Sequence, residues 1–322
     1  MNTELNNSTP AHIHIQNIKN KKYSAFDLTQ NTLKNLHDQD KQLNAYINIL
    51  DDYALSRAKH LDDEIAAGNN LPLAGVPIAV KDMLALKNYP TTAGSKTLEN
   101  FTPAYNSTVV NKLEDAGAII VGKTSCDEFA MGSSNEYAFT GPVHNPWDID
   151  RVPGGSSGGS AATVAARGVA WSIGTDTGGS IRQPASFNGI YGMKPTYGRV
   201  SRFGVVAFAS SLEQVGPMAH NVYDLSLLLH IIAGHDSNDS TTLDVDVPKY
   251  HESLDRDIKG LKIAIPENIY EGISDDVHQK IQSAIDVFRK NGAEITENVA
   301  INSWESALPA YYLIAPSEAS AN

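Results

Sequence analysis

From residue 71 onward, short apolar runs alternate with segments of helical periodicity. The run GVPIAV predicts a buried strand over 76–80, ending at Lys81-Asp82. A helix over 107–116, stopped by Gly117, leads into a buried strand over 118–121. A further strand is predicted over 170–173, and Asn221 caps a helix over 222–233 that Gly234 closes. A strand over 261–265, a helix over 275–290 capped by Ser274 and bounded by Gly292, and a strand over 293–297 follow. Strands this apolar, alternating with helices, imply an α/β class with a largely buried sheet. Before residue 71 the pattern is helical. Ser24-Ala25-Phe26-Asp27 has the form of a capping box with Asp as its acid, Leu28, Leu33 and Leu36 follow at helical spacing, and a second helix covers 52–67. Residues 1–70 are therefore expected as a helical segment packing on a core formed by 71–322, with 1–20 loosely held until something packs on them. A last helix over 303–322 offers Tyr311, Tyr312, Ile314 and Ala315 for packing and stops without a C-terminal cap.

The stretch 151–184, RVPGGSSGGSAATVAARGVAWSIGTDTGGSIRQP, breaks this rhythm with two glycine-serine knots. Between them lies a small-residue segment suited to one close-packed helix and one strand. Glycine lets backbone N–H groups approach a ligand, and serine supplies a nucleophile or a proton relay. The pattern points to hydroxyl chemistry with backbone donors aimed at an oxyanion. The strongest constellation is Lys81, Ser156 and Ser180. Lys81 ends a buried strand, where desolvation favours the neutral amine, a base. Ser180 follows two glycines at a plausible helix start, and Ser156 could relay between them. Asp176 and Arg182 are placed to pair and hold the second knot.

Other motifs resolve differently. Residues 117–124 fit GxxxxGK[ST], but Ala-Ile-Ile-Val between the glycines wants to be the strand itself, so a strand end is expected there rather than a phosphate loop. Residues 155–159 fit GxSxG, yet loop chemistry rather than a buried strand precedes them. Metal-ligand spacing such as HExxH is absent from the sequence, and Cys126, the one cysteine, reads as a small packed residue. Composition is that of a soluble globular chain, 41% hydrophobic and 19% charged, with net charge −12. That charge argues against a phosphate-binding surface for nucleic acid. With no apolar signal core and no run near the roughly 18 apolar residues of a membrane span, the expected setting is cytoplasmic, with no membrane partner.

At these residues the chain resembles the amidase signature family. The segments GVPIAVKD, GKTSCDEFAMGSSNEYAFTGPVHNPWD, VPGGSSGGSAATVAA and GTDTGGSIRQPASFNGIYGMKPTYGRVS carry the likeness over about 73–217. The separations, 75 residues from Lys81 to Ser156 and 24 from Ser156 to Ser180, are those of the family's triad. DEFAMGSSNEYA and KPTYGRVSRFGVVAFASSLEQVGP sharpen the resemblance to the A-subunit family of glutamyl-tRNA(Gln)/aspartyl-tRNA(Asn) amidotransferases. The resemblance implies an amidase signature fold, with a mixed central sheet covered by helices on both faces. It implies Ser180 as nucleophile, Ser156 after a cis peptide bond as relay, and Lys81 as base. Backbone N–H groups of Thr177, Gly178, Gly179 and Ser180 would form the oxyanion hole, and Met131, Gly132, Ser133 and Tyr311 would wall the substrate pocket.

The same likeness implies hydrolysis of glutamine, with ammonia passed to a B subunit that activates misacylated tRNA. ATP and Mg would sit on that partner rather than on this chain, tRNA would be held mainly by the B subunit, and a C subunit would wrap both. Family members run beyond 322 residues, so the sheet and pocket are expected to be C-terminally incomplete here, and the 322-residue chain weak or inactive by itself. Two alternatives stand beside this: a stand-alone amidase of small amides, which shares the triad, and a non-catalytic assembly module.

Overall fold

The computed structural model describes residues 5–322. Helix α1 (Ala11–Lys19) buries Ala11, His14, Ile15 and Ile18. The segment expected to be loose is thus packed from residue 11, and residues 1–4 lie outside the described residues. The reason is a distant anchor: the N–H groups of Ala11 and His12 donate to the Asp224 carboxylate at 2.8 and 3.0 Å, satisfying donors that a helix start leaves open. Helix α2 (Ala25–Leu43) begins with the capping box, since the Ser24 hydroxyl accepts the Asp27 N–H and the Asp27 carboxylate accepts the Ser24 N–H. Strand β1 (Tyr46–Ile49) and helix α3 (Asp51–Ala66) complete the approach to the core.

Strand β2 (Pro77–Lys81) is buried at every position. Helix α4 (Thr108–Asp115), capped by the Ser107 hydroxyl, precedes β3 (Ile119–Thr124), also buried throughout. The residues of the phosphate-loop pattern are thus a strand. Helix α5 (Gly158–Ala165) and strand β4 (Trp171–Asp176) occupy the segment between the two knots. Helix α6 (Arg182–Asn188), strands β5 (Tyr191–Gly192) and β6 (Gln214–Ala219), and helix α7 (Val222–Ile232), capped by the Asn221 side chain, follow. The sheet order is β1-β3-β2-β4-β6-β5. Its middle, β3-β2-β4, is parallel, and β1, β6 and β5 add antiparallel edges. The sheet is therefore mixed, with β2 between two parallel neighbours and Lys81 at its C-terminal end.

One compact unit runs up to His251 and takes in Ala315–Asn322; the other is Glu252–Ile314. In the second, β7 (Lys262–Pro266) and β8 (Glu294–Val299) pair in parallel across helix α8 (Asp275–Lys290). Ser274 adopts the extended backbone of a cap, but its side chain makes no capping bond, contrary to expectation. Asp275 and Asp276 in the first turn and Arg289 and Lys290 in the last supply the charges that the helix dipole favours. Helix α9 (Trp304–Ala321) ends the chain, with Ala315 buried and Tyr312 exposed.

Close approach to α5 fixes one glycine. A Cβ at Gly159 would meet the carbonyl oxygens of Ala45 and Ser125, the second at 2.6 Å, and both obstacles are backbone. Gly159→Ala is expected to destabilise the protein by about 3 kcal/mol, the cost of overpacking a site that cannot give way; urea unfolding measures it.

Candidate active site

The site begins with a desolvated amine. Lys81 has no exposed surface, and its Nζ donates to Ser156 Oγ at 2.7 Å and to Thr175 Oγ1 at 2.8 Å. Thr175 is delivered by β4, the parallel neighbour of β2. Ser156 arrives on the loop before α5, after a cis peptide bond from Gly155. The two knots are stitched through the next residue. The Ser157 N–H donates to the Ser180 carbonyl at 3.1 Å, and the Ser157 hydroxyl donates to the Thr175 carbonyl at 3.0 Å. Gly174 in β4 leaves room for this, because a Cβ there would lie 2.9 Å from Ser157 Oγ. The structure thus joins Lys81 to Ser156 directly and ties Ser180 to them through backbone.

The second knot is organised by Asp176. Its carboxylate accepts the N–H groups of Gly179 at 2.8 Å and Ile181 at 3.1 Å, and it pairs bidentately with Arg182, Nε and one terminal nitrogen each at 3.0 Å. Burial opposes the charge on Asp176, but Arg182 and these N–H groups outweigh it and hold the carboxyl below the usual aspartate range. The geometry qualifies one expectation. The Gly179 N–H is already donated to Asp176, so of the four groups named for an oxyanion, those of Thr177, Gly178 and Ser180 remain to be considered.

Met131 is half exposed, and Gly132 rests on Asp127, where a Cβ would lie 2.6 Å from Oδ1. The Asp127 carboxylate accepts the Asn135 N–H at 2.9 Å and the Tyr137 N–H at 3.4 Å, and it also packs beneath Gly155. The loop around Ser133 is held against the Ser156 loop by this carboxylate, which opens the segment DEFAMGSSNEYA. Tyr311 lies on α9 in the second unit, its ring edge-on to Tyr312 with centroids 5.6 Å apart.

Burial lowers the pKa of Lys81, and Cys126, Glu213, Asp127 and Asp176 oppose that shift. Burial also pushes the Cys126 thiol up to about 12. It is neutral at pH 7 and brings no charge, which leaves Glu213, Asp127 and Asp176 as the opposing groups; burial pushes the carboxyls of the first two up. A second fully buried lysine, Lys123, contrasts with the first. It pairs with Asp82 at 2.9 Å and donates to the Leu84 carbonyl and to Thr91 Oγ1 at 2.7 and 3.0 Å. Lys123 is a matched core charge, whereas Lys81 hydrogen-bonds only hydroxyls and can give up its proton to become a base. The arrangement can move a proton from a serine to a buried amine. Among the described residues, no cluster of His, Cys, Asp or Glu is placed to hold a metal ion.

The amidase family model matches residues 27–322. The glutamyl-tRNA(Gln) amidotransferase A subunit of Prochlorococcus marinus is 52% identical over 310 residues, which are 95% of this chain and 64% of that protein. The chain thus spans somewhat less than two thirds of that relative's length. Among solved structures, the A subunit of the Thermotoga maritima glutamyl-tRNA(Gln) amidotransferase matches with a TM-score of 0.83 at 41% identity, covering 92% of this chain and 63% of that one. The peptide amidase of Stenotrophomonas maltophilia matches with a TM-score of 0.90 at 32% identity, covering 97% and 66%.

The Asp176–Arg182 pair sets a pH dependence. A carboxyl held below its unfolded value adds stability that is fully present above about pH 4 and is lost as pH falls through its folded value. Arg182→Ala is expected to lower stability by a constant amount above about pH 5, and the gap to wild type closes on acidification below about pH 4. Urea midpoints between about pH 3 and 8 would register it; a gap independent of pH would show that Arg182 acts by packing alone.

Proposed function

The chain belongs to the amidase family, and from that premise we propose that it is the glutaminase component of a tRNA-dependent amidotransferase. The observation that carries this reading is the identity of about half its residues, over 95% of its length, with the A subunit of a glutamyl-tRNA(Gln) amidotransferase. The buried Lys81–Ser156 contact supplies the chemistry.

In this reading Ser180 Oγ attacks the side-chain amide carbon of glutamine. Its proton passes to Ser156 as the proton of Ser156 passes to neutral Lys81. The oxyanion is met by backbone N–H groups of the second knot, and collapse expels ammonia, protonated by the reverse relay. Water then attacks the glutamyl ester through the same relay and releases glutamate. The ammonia is consumed by a B subunit that uses ATP and Mg to activate Glu-tRNA(Gln) or Asp-tRNA(Asn), with a C subunit completing the assembly. The net charge of −12 is consistent with tRNA being held mainly by the B subunit. No helix among the described residues is long and apolar enough to cross a membrane, and the proposed setting is the cytoplasm, where translation proceeds.

A second reading, a hydrolase of small amides, draws on the peptide amidase, whose TM-score of 0.90 exceeds the 0.83 of the amidotransferase chain. Backbone likeness reports the shared fold, while substrate choice resides in side chains. There the identities, 41% against 32%, favour the amidotransferase.

Ammonia release from glutamine should rise sharply when B and C subunits, ATP and Glu-tRNA are added, and should fall by roughly 10⁴-fold or more in Ser180→Ala. Brisk hydrolysis of unrelated amides with no response to the partners would establish the second reading instead.

A further inference from the structure

Glu213 has no part in the relay described above, yet the fold brings it to the relay. It lies one residue before β6. The β4–β6 register pairs Thr175 with Val215 and Asp176 with Gln214, which sets Glu213 beside the turn that begins at Thr177. The residue is 2% exposed. Thr177 Oγ1 donates to its Oε2 at 2.9 Å, and its Oε1 is buried without a hydrogen-bond partner. A carboxylate oxygen left in that state is costly unless a cation stands nearby. Two cations act on or near it. Arg202 is already matched by a bidentate pair with Asp239, at 3.1 and 2.9 Å. Among the described residues Lys81 hydrogen-bonds only the Ser156 and Thr175 hydroxyls, and Glu213 is one of the carboxyls that oppose the lowering of its pKa by burial. Burial pushes the Glu213 carboxyl up, and the Lys81 charge and the Thr177 and Thr175 hydroxyls oppose that shift; Thr175 is the hydroxyl that Lys81 itself holds.

We propose that Glu213 is the buried counter-charge of Lys81, coupled to it through the Thr175 hydroxyl, and that it keeps the amine basic enough to hold the proton taken from Ser156. This rests on the reading of Lys81 as base. The proton leaves Ser156 Oγ and binds Lys81 Nζ, the resulting ammonium is balanced by the Glu213 carboxylate, and no proton is exchanged with bulk water. Glu213 is a positioning residue that acts through Lys81. The other titratable groups that face the pair are Asp127, Asp176 and Cys126 around Lys81, and Asp176 and Arg202 around Glu213. Asp127 is committed to the Asn135 and Tyr137 N–H groups, Asp176 to Arg182 and Arg202 to Asp239, which leaves Glu213 as the carboxylate available to Lys81.

The test is the pH dependence of covalent labelling of Ser180 by a fluorophosphonate, a readout that needs neither glutamine nor partner subunits, with melting temperatures alongside. Labelling of wild type should rise with pH as Lys81 loses its proton. Glu213→Gln should move that limb down by about one pH unit or more, because an opposite charge has been removed, and should lower the plateau rate. Glu213→Asp should restore the wild-type limb, and Thr175→Val should move it in the same direction as Glu213→Gln. A limb unmoved in Glu213→Gln, whatever happens to its melting temperature, would overturn the proposal. If that variant does not fold, an unmoved limb in Thr175→Val overturns it. A wild type that is not labelled, or a Ser180→Ala variant labelled equally, would sink the hydrolase reading and this inference with it.

Discussion

A lysine amine with no exposed surface is the constraint on which the rest of the site depends. Removing an ammonium from water costs several kcal/mol even after the protein relaxes, so the chain must surround Lys81 with acceptors or let it lose its proton. It does part of each. Thr175 and Ser156 receive its hydrogens, and both are in place because of the sheet. Strand β4 lies parallel to β2, and the Ser156 loop is bound to the end of β4 through Ser157. The glycines of the knots answer other demands: at 155, 158 and 159 they let the first knot pass against the 125–135 segment, and Gly179 takes a positive φ in the second.

Lys81 and Lys123 make the point by contrast. Lys81 pairs in register with Thr124, and Lys123 pairs with Val80, so they occupy adjacent rows of the sheet and their side chains leave from opposite faces. Both are fully buried. Lys123 meets a carboxylate and two further oxygens, the partners of a core ion pair. Lys81 meets hydroxyls, groups that can donate as readily as accept, and so remains compatible with either protonation state. A single step along a strand separates a core ion pair from a candidate base.

The middle of the sheet was legible in the sequence because β2, β3 and β4 are buried on both faces and their residues run together as apolar blocks. Each strand extends one to three residues past its apolar run, through Lys81, Gly122 to Thr124, and Gly174 to Asp176, because ladder pairing continues where the side chains turn polar. The caps Ser24 and Asn221 were legible from local chemistry, whereas Ser107, read as the first helical residue, is the cap of α4. Strand β6 was not: it contains Gly216 and Pro217, which interrupt a strand pattern, yet Pro217 needs only to accept, and its carbonyl takes the Met193 N–H. Strand β1 is four residues long, too short for a period to declare itself. Ser274 has a cap's sequence context and a cap's backbone, and its side chain still makes no capping bond. At the site, Lys81, Ser156 and Ser180 were marked by glycines and strand ends. Asp127 and Glu213 were not, because their importance lies in what the tertiary fold sets against them. The engagement of the Gly179 N–H by Asp176 is likewise a matter of three dimensions.

The anchoring of α1 to Asp224 has a consequence for how the molecule is made. The parallel strands β2, β3 and β4 end at Asp176 and are joined by local connections, so they can pair before the rest of the chain has been synthesised. Helix α1, although it precedes these strands in the chain, has its opening N–H groups satisfied by a carboxylate 213 positions later. Its docking must therefore wait for α7, and α1 is among the last parts of this unit to settle into place.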